Sequence, residues 1–216
     1  MATVTPRKMK FEKALRDRGF LQIAGIDEAG RGPLAGPVVA SAVILPHDFK
    51  HKILNDSKQL SADEREALFH EITTNPNIIW AKGVANHQEV DRFNILGATY
   101  LAMKRAVDGL STQPDHLLID GLPVKIFTIP QQAIVEGDAK SFSIAAASVI
   151  AKVTRDRIMC QLHQIYPQYN FAKHKGYGTA EHYQSINKYG ICPIHRKSFQ
   201  PIREAEELAL DYQTVG

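Results

Sequence analysis

Asp27 and Glu28 stand side by side in the stretch Ile23-Ala24-Gly25-Ile26-Asp27-Glu28-Ala29-Gly30-Arg31-Gly32-Pro33, where an apolar run gives way to glycines and an arginine. Strand side chains alternate between faces, so the two carboxylates converge on one cleft only if the chain bends beside them, and Gly30 and Gly32 permit that bend. Converging carboxylates repel each other, and a divalent cation is the usual means of holding them together near neutral pH. The same residues also suit a solvated acidic pair leading into an ordinary Gly-rich turn. Other parts of the chain must decide between the two.

Two further acids occupy comparable places. Asp120 follows the apolar run 116–119 and precedes Gly121, and Asp138 precedes the largely apolar segment 141–165. Singly, Asp120 suits an Asx turn and Asp138 a helix cap. As a set with Asp27 and Glu28 they carry more weight, because ligand sites in α/β sheets gather at strand ends, where acids distant in sequence can meet. Oxygen donors without a cysteine or histidine set favour magnesium or manganese over zinc. Two such ions, roughly 3.5 to 4 Å apart, serve in-line displacement at phosphorus. A metal-dependent phosphodiesterase is the chemistry this set predicts.

The elements that must position these acids follow from pattern. Segments 20–26 and 38–45 read as strands joined by the glycine turn, 78–85 as a third, 116–119 as a fourth and 125–129, closed by Pro130, as a fifth. Ser61 with Glu64 forms a capping-box pattern opening a helix over 62–72, and Asn86 with Glu89 opens a long one. Phe93, Leu96, Tyr100, Met103, Val107 and Leu110 recur along it at helical intervals as a core stripe. The segment 141–165 reads as a helix whose first turns are buried, Thr179 as an N-cap, and 205–210 as a short terminal helix. Strands with helices between and after them predict an α/β fold, a mixed sheet flanked by helices with a helical C-terminal segment. We expect one domain over 1–216, its core at about 20–165 and its helical part at about 166–216.

Composition narrows the classes. With 216 residues, 44% of them hydrophobic, the chain can bury a full core. Cys160 and Cys192 make no C-x-x-C pair, which fits a reducing compartment and an expected cytoplasmic location. Residues 1–20 lack the apolar core of a signal peptide, and no run approaches the ~18 apolar residues of a spanning helix. Between 170 and 200, Lys173, Lys175, Lys188, Arg196 and Lys197 face one acid, Glu181, with five aromatics interleaved, a composition that suits a polyphosphate. Gly137-Asp138-Ala139-Lys140-Ser141 lacks the spacing of a P-loop, and Cys192 with His195 is a lone C-x-x-H without the second pair of a zinc site. His182 and His195 receive no role.

Taken in order, several blocks carry a resemblance. They are the Gly25–Pro33 stretch, Asp56-Ser57-Lys58, Leu118-Ile119-Asp120-Gly121, Gly137-Asp138-Ala139-Lys140-Ser141, Ala151-Lys152-Val153-Thr154-Arg155-Asp156, Lys175-Gly176-Tyr177-Gly178-Thr179 and His195-Arg196-Lys197-Ser198-Phe199. The chain resembles the type 2 ribonucleases H, the bacterial ribonuclease HII family, from about residue 25 to 199. That resemblance implies a ribonuclease H-like fold and endonucleolytic cleavage of RNA in RNA–DNA hybrids. It extends to single ribonucleotides embedded in duplex DNA, with 5′-phosphate and 3′-hydroxyl products and a role in ribonucleotide removal.

It further implies that Asp27, Glu28, Asp120 and Asp138 are catalytic and hold two Mn2+ or Mg2+ ions. Asp27 would bridge both, Glu28 and Asp120 would hold one, and Asp138 would complete the other. The main chain of Gly30, Arg31 and Gly32 would approach the ribose 2′-hydroxyl, and Tyr177 would pack against the next sugar at the RNA-to-DNA junction. Lys58, Arg196 and Lys197 would touch phosphates or shape the site. A monomer acting on hybrids and ribonucleotide-containing DNA, without a membrane, is the expectation. Two rivals stand beside it: a type 3 ribonuclease H, which carries an extra N-terminal substrate-binding domain, and a hybrid-binding protein that has lost turnover.

Overall fold

A computed structural model describes residues 9–51, 54 and 60–214; Lys58 lies outside the described residues. Five runs form β1 (Ile23–Ala29), β2 (Val38–Ile44), β3 (Ile79–Ala85), β4 (His116–Asp120) and β5 (Gln131–Ile134), the first three rich in valine, isoleucine and alanine, in one sheet ordered β3-β2-β1-β4-β5. The central strand β1 runs antiparallel to β2 and parallel to β4, and β4 runs parallel to β5, so the sheet is mixed as expected. Helices α1 (Lys10–Arg16), α2 (Ala62–Thr74), α3 (His87–Asp108), α4 (Gly137–Lys140), α5 (Phe142–Ile165), α6 (Phe171–His174), α7 (Ala180–Tyr189) and α8 (Gln200–Thr214) complete it. Among the described residues no helix is long and apolar enough to cross a membrane.

The chain groups into two compact units, each assembled from separate stretches: Met1–Ala29, Val39–Val84 and Tyr100–Val153 in the first, Gly30–Val38, Ala85–Thr99 and Thr154–Gly216 in the second. In the first, the opening half of α5 packs on the sheet through Ala145, Ala146, Ala147, Val149 and Ile150, all buried. Burial of a large aliphatic side chain here contributes roughly 1.5–3 kcal/mol relative to exposure. The approach is close: a Cβ on Gly25 would stand 2.2 Å from the Ser143 carbonyl carbon, so only glycine fits on that face of β1. Glu12 of α1 locks the start of α5. Its Oε1 accepts the Ser141 hydroxyl at 2.6 Å, the Ser143 hydroxyl at 2.7 Å and the Ser143 N–H at 3.1 Å, an anion set at a helix N-terminus.

Both capping boxes form: Ser61 with Glu64 before α2, and Asn86 with Glu89 before α3, where the two exchange bonds of 2.9 Å. Two expectations need correction. Residues 125–129 are not a strand. The strand comes after Pro130, because the Pro130 carbonyl takes the Leu117 N–H at 2.9 Å and starts the β4–β5 ladder, while Phe127 N–H closes a turn on the Val124 carbonyl. The α3 stripe is also broken. Asn94 adopts φ 57°, ψ 173°, and its Oδ1 caps a restarted helix by accepting the Leu96 and Gly97 N–H groups at 2.9 and 3.1 Å. Periodicity counted through that kink falls out of phase, leaving Phe93 and Leu96 42% and 47% exposed while Met103, Val107 and Leu110 are buried.

The second unit has its own core of Leu34, Met159, Tyr169, Phe171, Ile186 and Ile202. Thr179 caps α7 as expected, its hydroxyl accepting the His182 N–H at 3.2 Å, and α8 is longer than the expected 205–210.

Candidate active site

All four acids belong to the first unit. Asp27 is buried on β1, and Ile26 pairs with Ile119, the residue before Asp120, so Asp27 and Asp120 each lie one step past the last parallel pair. Neighbours in register project to the same face of a sheet. The Asp120 Oδ1 accepts the Gly137 N–H at 2.7 Å, which fastens the end of β4 to the first turn of α4, where Asp138 is buried. The Gly121 N–H donates to the Ile134 carbonyl at 3.0 Å, which ties the same turn to β5. Asp138 does not cap α5: the Ser141 hydroxyl accepts the Ile144 N–H at 3.2 Å.

The bend expected beside Asp27 and Glu28 begins later. The strand continues to Ala29, with Glu28 still paired to Ala40, and the first left-handed residue is Gly30 at φ +98°. Asp27 instead curls along its own chain, its Oδ1 accepting the Glu28 N–H at 2.7 Å. Burial, then the charges of Glu28 and Asp120, push its carboxyl well above the ordinary carboxylate range, while the Ser148 hydroxyl and Glu28 N–H pull the other way. Ser148 was missed as a site residue; its signal is a hydroxyl on an otherwise apolar helical face. Among the described residues, no three acid, imidazole or thiol side chains are drawn together tightly enough to grip an ion as they stand. The donor chemistry nevertheless fits a hard divalent cation: oxygen atoms only, with surplus negative charge in a partly dry setting.

The second unit holds Gly30, Arg31, Gly32, Tyr177 and Arg196. A Cβ on Gly32 would lie 3.6 Å from the Tyr177 ring, so the Gly-Arg-Gly turn and this 43%-exposed tyrosine are neighbours. Arg196 does not reach solvent to touch a phosphate, correcting one of its two expected roles. Fully buried, it donates to the carbonyls of Gly30 at 2.6 Å, Arg31 at 3.0 Å, Pro33 at 2.7 Å and Gly36 at 3.0 Å. Arg155, also buried and unassigned from sequence, bonds the carbonyls of Pro37 at 3.0 Å and Ala35 at 3.2 Å. Desolvation lowers both guanidinium groups, Arg155 to about 10 and Arg196 to about 9, and both stay charged near neutrality. In the basic segment, Lys173 pairs with Glu181 at 2.8 Å and Lys197 with Glu206, so much of its charge is balanced locally.

A family model described as Ribonuclease HII matches residues 24–202. A ribonuclease HII from Clostridioides difficile (strain 630) is 56% identical over 189 residues, spanning 88% of this chain and 74% of that protein. The crystal structure of ribonuclease H2 from Pyrococcus horikoshii OT3 superposes with a TM-score of 0.71 at 25% identity, covering 87% of this chain and 98% of that one. The structure of Bst-RNase HIII in complex with Mn2+ gives a TM-score of 0.65 at 20% identity over 95% and 74%, a likeness of fold.

Proposed function

Because this chain belongs to the ribonuclease HII family, and is thereby a ribonuclease H endonuclease, we propose that it hydrolyses the RNA strand of RNA–DNA hybrids and nicks 5′ of single ribonucleotides embedded in duplex DNA. The products carry 5′-phosphate and 3′-hydroxyl ends, and the biological task is ribonucleotide removal from DNA. The observation that carries this reading is the register that sets buried Asp27 beside Asp120, each one step past the last β1–β4 pair, with Asp120 tied to the turn of Asp138.

Asp27, Glu28, Asp120 and Asp138 would hold two Mn2+ or Mg2+ ions, whose chemistry there would be to activate a water and to stabilise the leaving oxygen. The protein's own part is orientation. Glu28 N–H and Ser148 fix the Asp27 carboxylate, and Gly137 N–H fixes that of Asp120. Gly30, Arg31 and Gly32 present backbone to the 2′-hydroxyl, the one group that separates ribose from deoxyribose. Tyr177 packs on the sugar across the junction, Lys58 contacts phosphate, and Arg196 shapes the turn. We read residues 1–216 as a single catalytic domain, monomeric and cytoplasmic.

One labelled duplex containing a single ribonucleotide, incubated with Mn2+ or Mg2+ and with chelator, tests substrate, metal need and position together. A metal-dependent nick on the 5′ side of the ribonucleotide is expected. Binding without any nick, with either ion supplied, overturns the reading.

A further inference from the structure

His195 and Arg196 are consecutive, and their side chains serve different neighbours. Their segment forms a bridge with the turn: Ala35 pairs with His195, Arg196 N–H donates to the Leu34 carbonyl at 2.9 Å, and Gly36 N–H donates to the Ile194 carbonyl at 3.0 Å. In an extended bridge, successive side chains point to opposite sides. Arg196 takes the carbonyls of Gly30, Arg31, Pro33 and Gly36. In a trans peptide the C=O and the following N–H point in opposite directions, so drawing the Gly30 and Arg31 carbonyls inward turns the Arg31 and Gly32 N–H groups away from the guanidinium.

The imidazole of His195 reaches the tyrosine loop. The Tyr177 carbonyl can only accept, so His182 Nδ1, 2.9 Å away, carries its hydrogen; His182 Nε2 then accepts from His195 Nε2 at 3.0 Å. His195 Nδ1 in turn accepts the Cys192 N–H at 2.9 Å. This arrangement of protons joins the three links with both rings neutral and both fully buried, and leaves the Cys192 Sγ and carbonyl oxygen, 3.1 and 3.2 Å from the same Nδ1, as close contacts without a proton from it. The His195–Arg196 pair thus holds one substrate-reading element on each side: the Gly-Arg-Gly turn through a guanidinium, and the Tyr177 carbonyl through two imidazoles.

We infer that His182, His195 and Arg196 are positioning residues that set the spacing between the Gly-Arg-Gly backbone and the Tyr177 ring, and through it the preference for a ribonucleotide followed by deoxyribose. This rests on the proposed hybrid-cleaving function. Sites of this kind tolerate little displacement, and a shift of about 1 Å can cost on the order of a hundredfold in rate.

The test exploits the two imidazole nitrogens. His195→Gln places an amide donor where Nε2 stands and keeps the link to His182. His195→Asn places it at the Nδ1 position and cuts the link. His182→Asn keeps the bond to Tyr177 but cuts the same link from the other end. Each variant is measured on a duplex with one ribonucleotide and on a long RNA tract hybridised to DNA, with melting temperature alongside. The expected result is that His195→Asn and His182→Asn lower the ratio of junction to tract cleavage by roughly tenfold, while His195→Gln holds it within about threefold. Equal losses on both substrates, an unchanged ratio, or failure of both Asn variants to fold would assign the chain to stability alone and overturn the inference. If wild-type protein does not nick the single ribonucleotide, the underlying reading falls first, and the wild-type arm separates the two failures.

Discussion

The acid-bearing end of the sheet and the Gly-Arg-Gly turn solve opposite electrostatic problems. At the first, buried Asp27 is crowded by like charges, with a hydroxyl and an N–H in partial compensation. At the second, buried Arg155 and Arg196 have carbonyls waiting for them, six in all, contributed by Gly30, Arg31, Pro33, Ala35, Gly36 and Pro37. A group of like charges is costly until a counter-ion arrives, whereas a cation surrounded by carbonyl dipoles is content without one. The lesson is that the two regions are built differently: the acid set is left crowded with negative charge, and the turn is shaped in advance by the protein.

The sharpest way to break this contrast is Asp27→Asn. It removes one buried charge from the acid set while keeping shape, and should lower cleavage about a thousandfold or more, with hybrid binding retained. In metal-free protein the same change should raise the melting temperature, because the raised Asp27 carboxyl marks an ionised form that folding disfavours. A stability loss in place of a gain would show that the acids are not strained.

Next comes Gly30→Ala. At φ +98° a Cβ would meet Arg155 Nε at 2.1 Å and the Pro37 carbonyl at 2.7 Å, so a loss of about 1–3 kcal/mol is expected in denaturant unfolding. Tolerance of alanine there would contradict a prearranged turn. Tyr177→Ala should then reduce junction cleavage roughly tenfold more than cleavage within a tract, read on the same pair of duplexes. Equal effects would remove Tyr177 from junction recognition.

The last effect is one of pH. Burial holds His182 and His195 down at about 4 in the folded protein, against an unfolded value near 6.5. Between these values the unfolded chain binds more protons, so stability is full above about 6.5, falls as pH drops and levels off below about 4. Melting temperature should therefore decline by several degrees between pH 7 and 4.5, and less in a protein carrying Asn at both positions.

What the sequence revealed and concealed follows from the range of the interactions involved. Capping at Ser61–Glu64 and Asn86–Glu89 is decided within four residues, and both were legible. The acids could be singled out because carboxylates at the ends of apolar runs are unusual wherever the chain later places them. Asn94 was hidden inside a smooth apolar period, since an Asn side chain that caps a restarted helix leaves no mark on hydrophobic spacing. The fifth strand was misplaced because 125–129 looks β-prone, yet the pairing edge of β4 is met only after Pro130. Arg196 looked like a phosphate contact by type and neighbourhood. Its partners lie some 160 residues earlier, at Gly36, and no local pattern announces such a distance.

The Glu12 clamp carries a consequence for biogenesis. Its hydroxyl partner Ser141 lies 129 residues downstream, a span that a ribosome needs on the order of ten seconds to deliver. During that interval the first helix has been made but its acid has no serines to receive, so the N-terminal segment must remain undocked until most of the polypeptide has emerged. Completion of this fold is therefore gated by the late arrival of Ser141 and Ser143, and a nascent chain stalled before them would expose an unfinished sheet to whatever meets it at the tunnel exit.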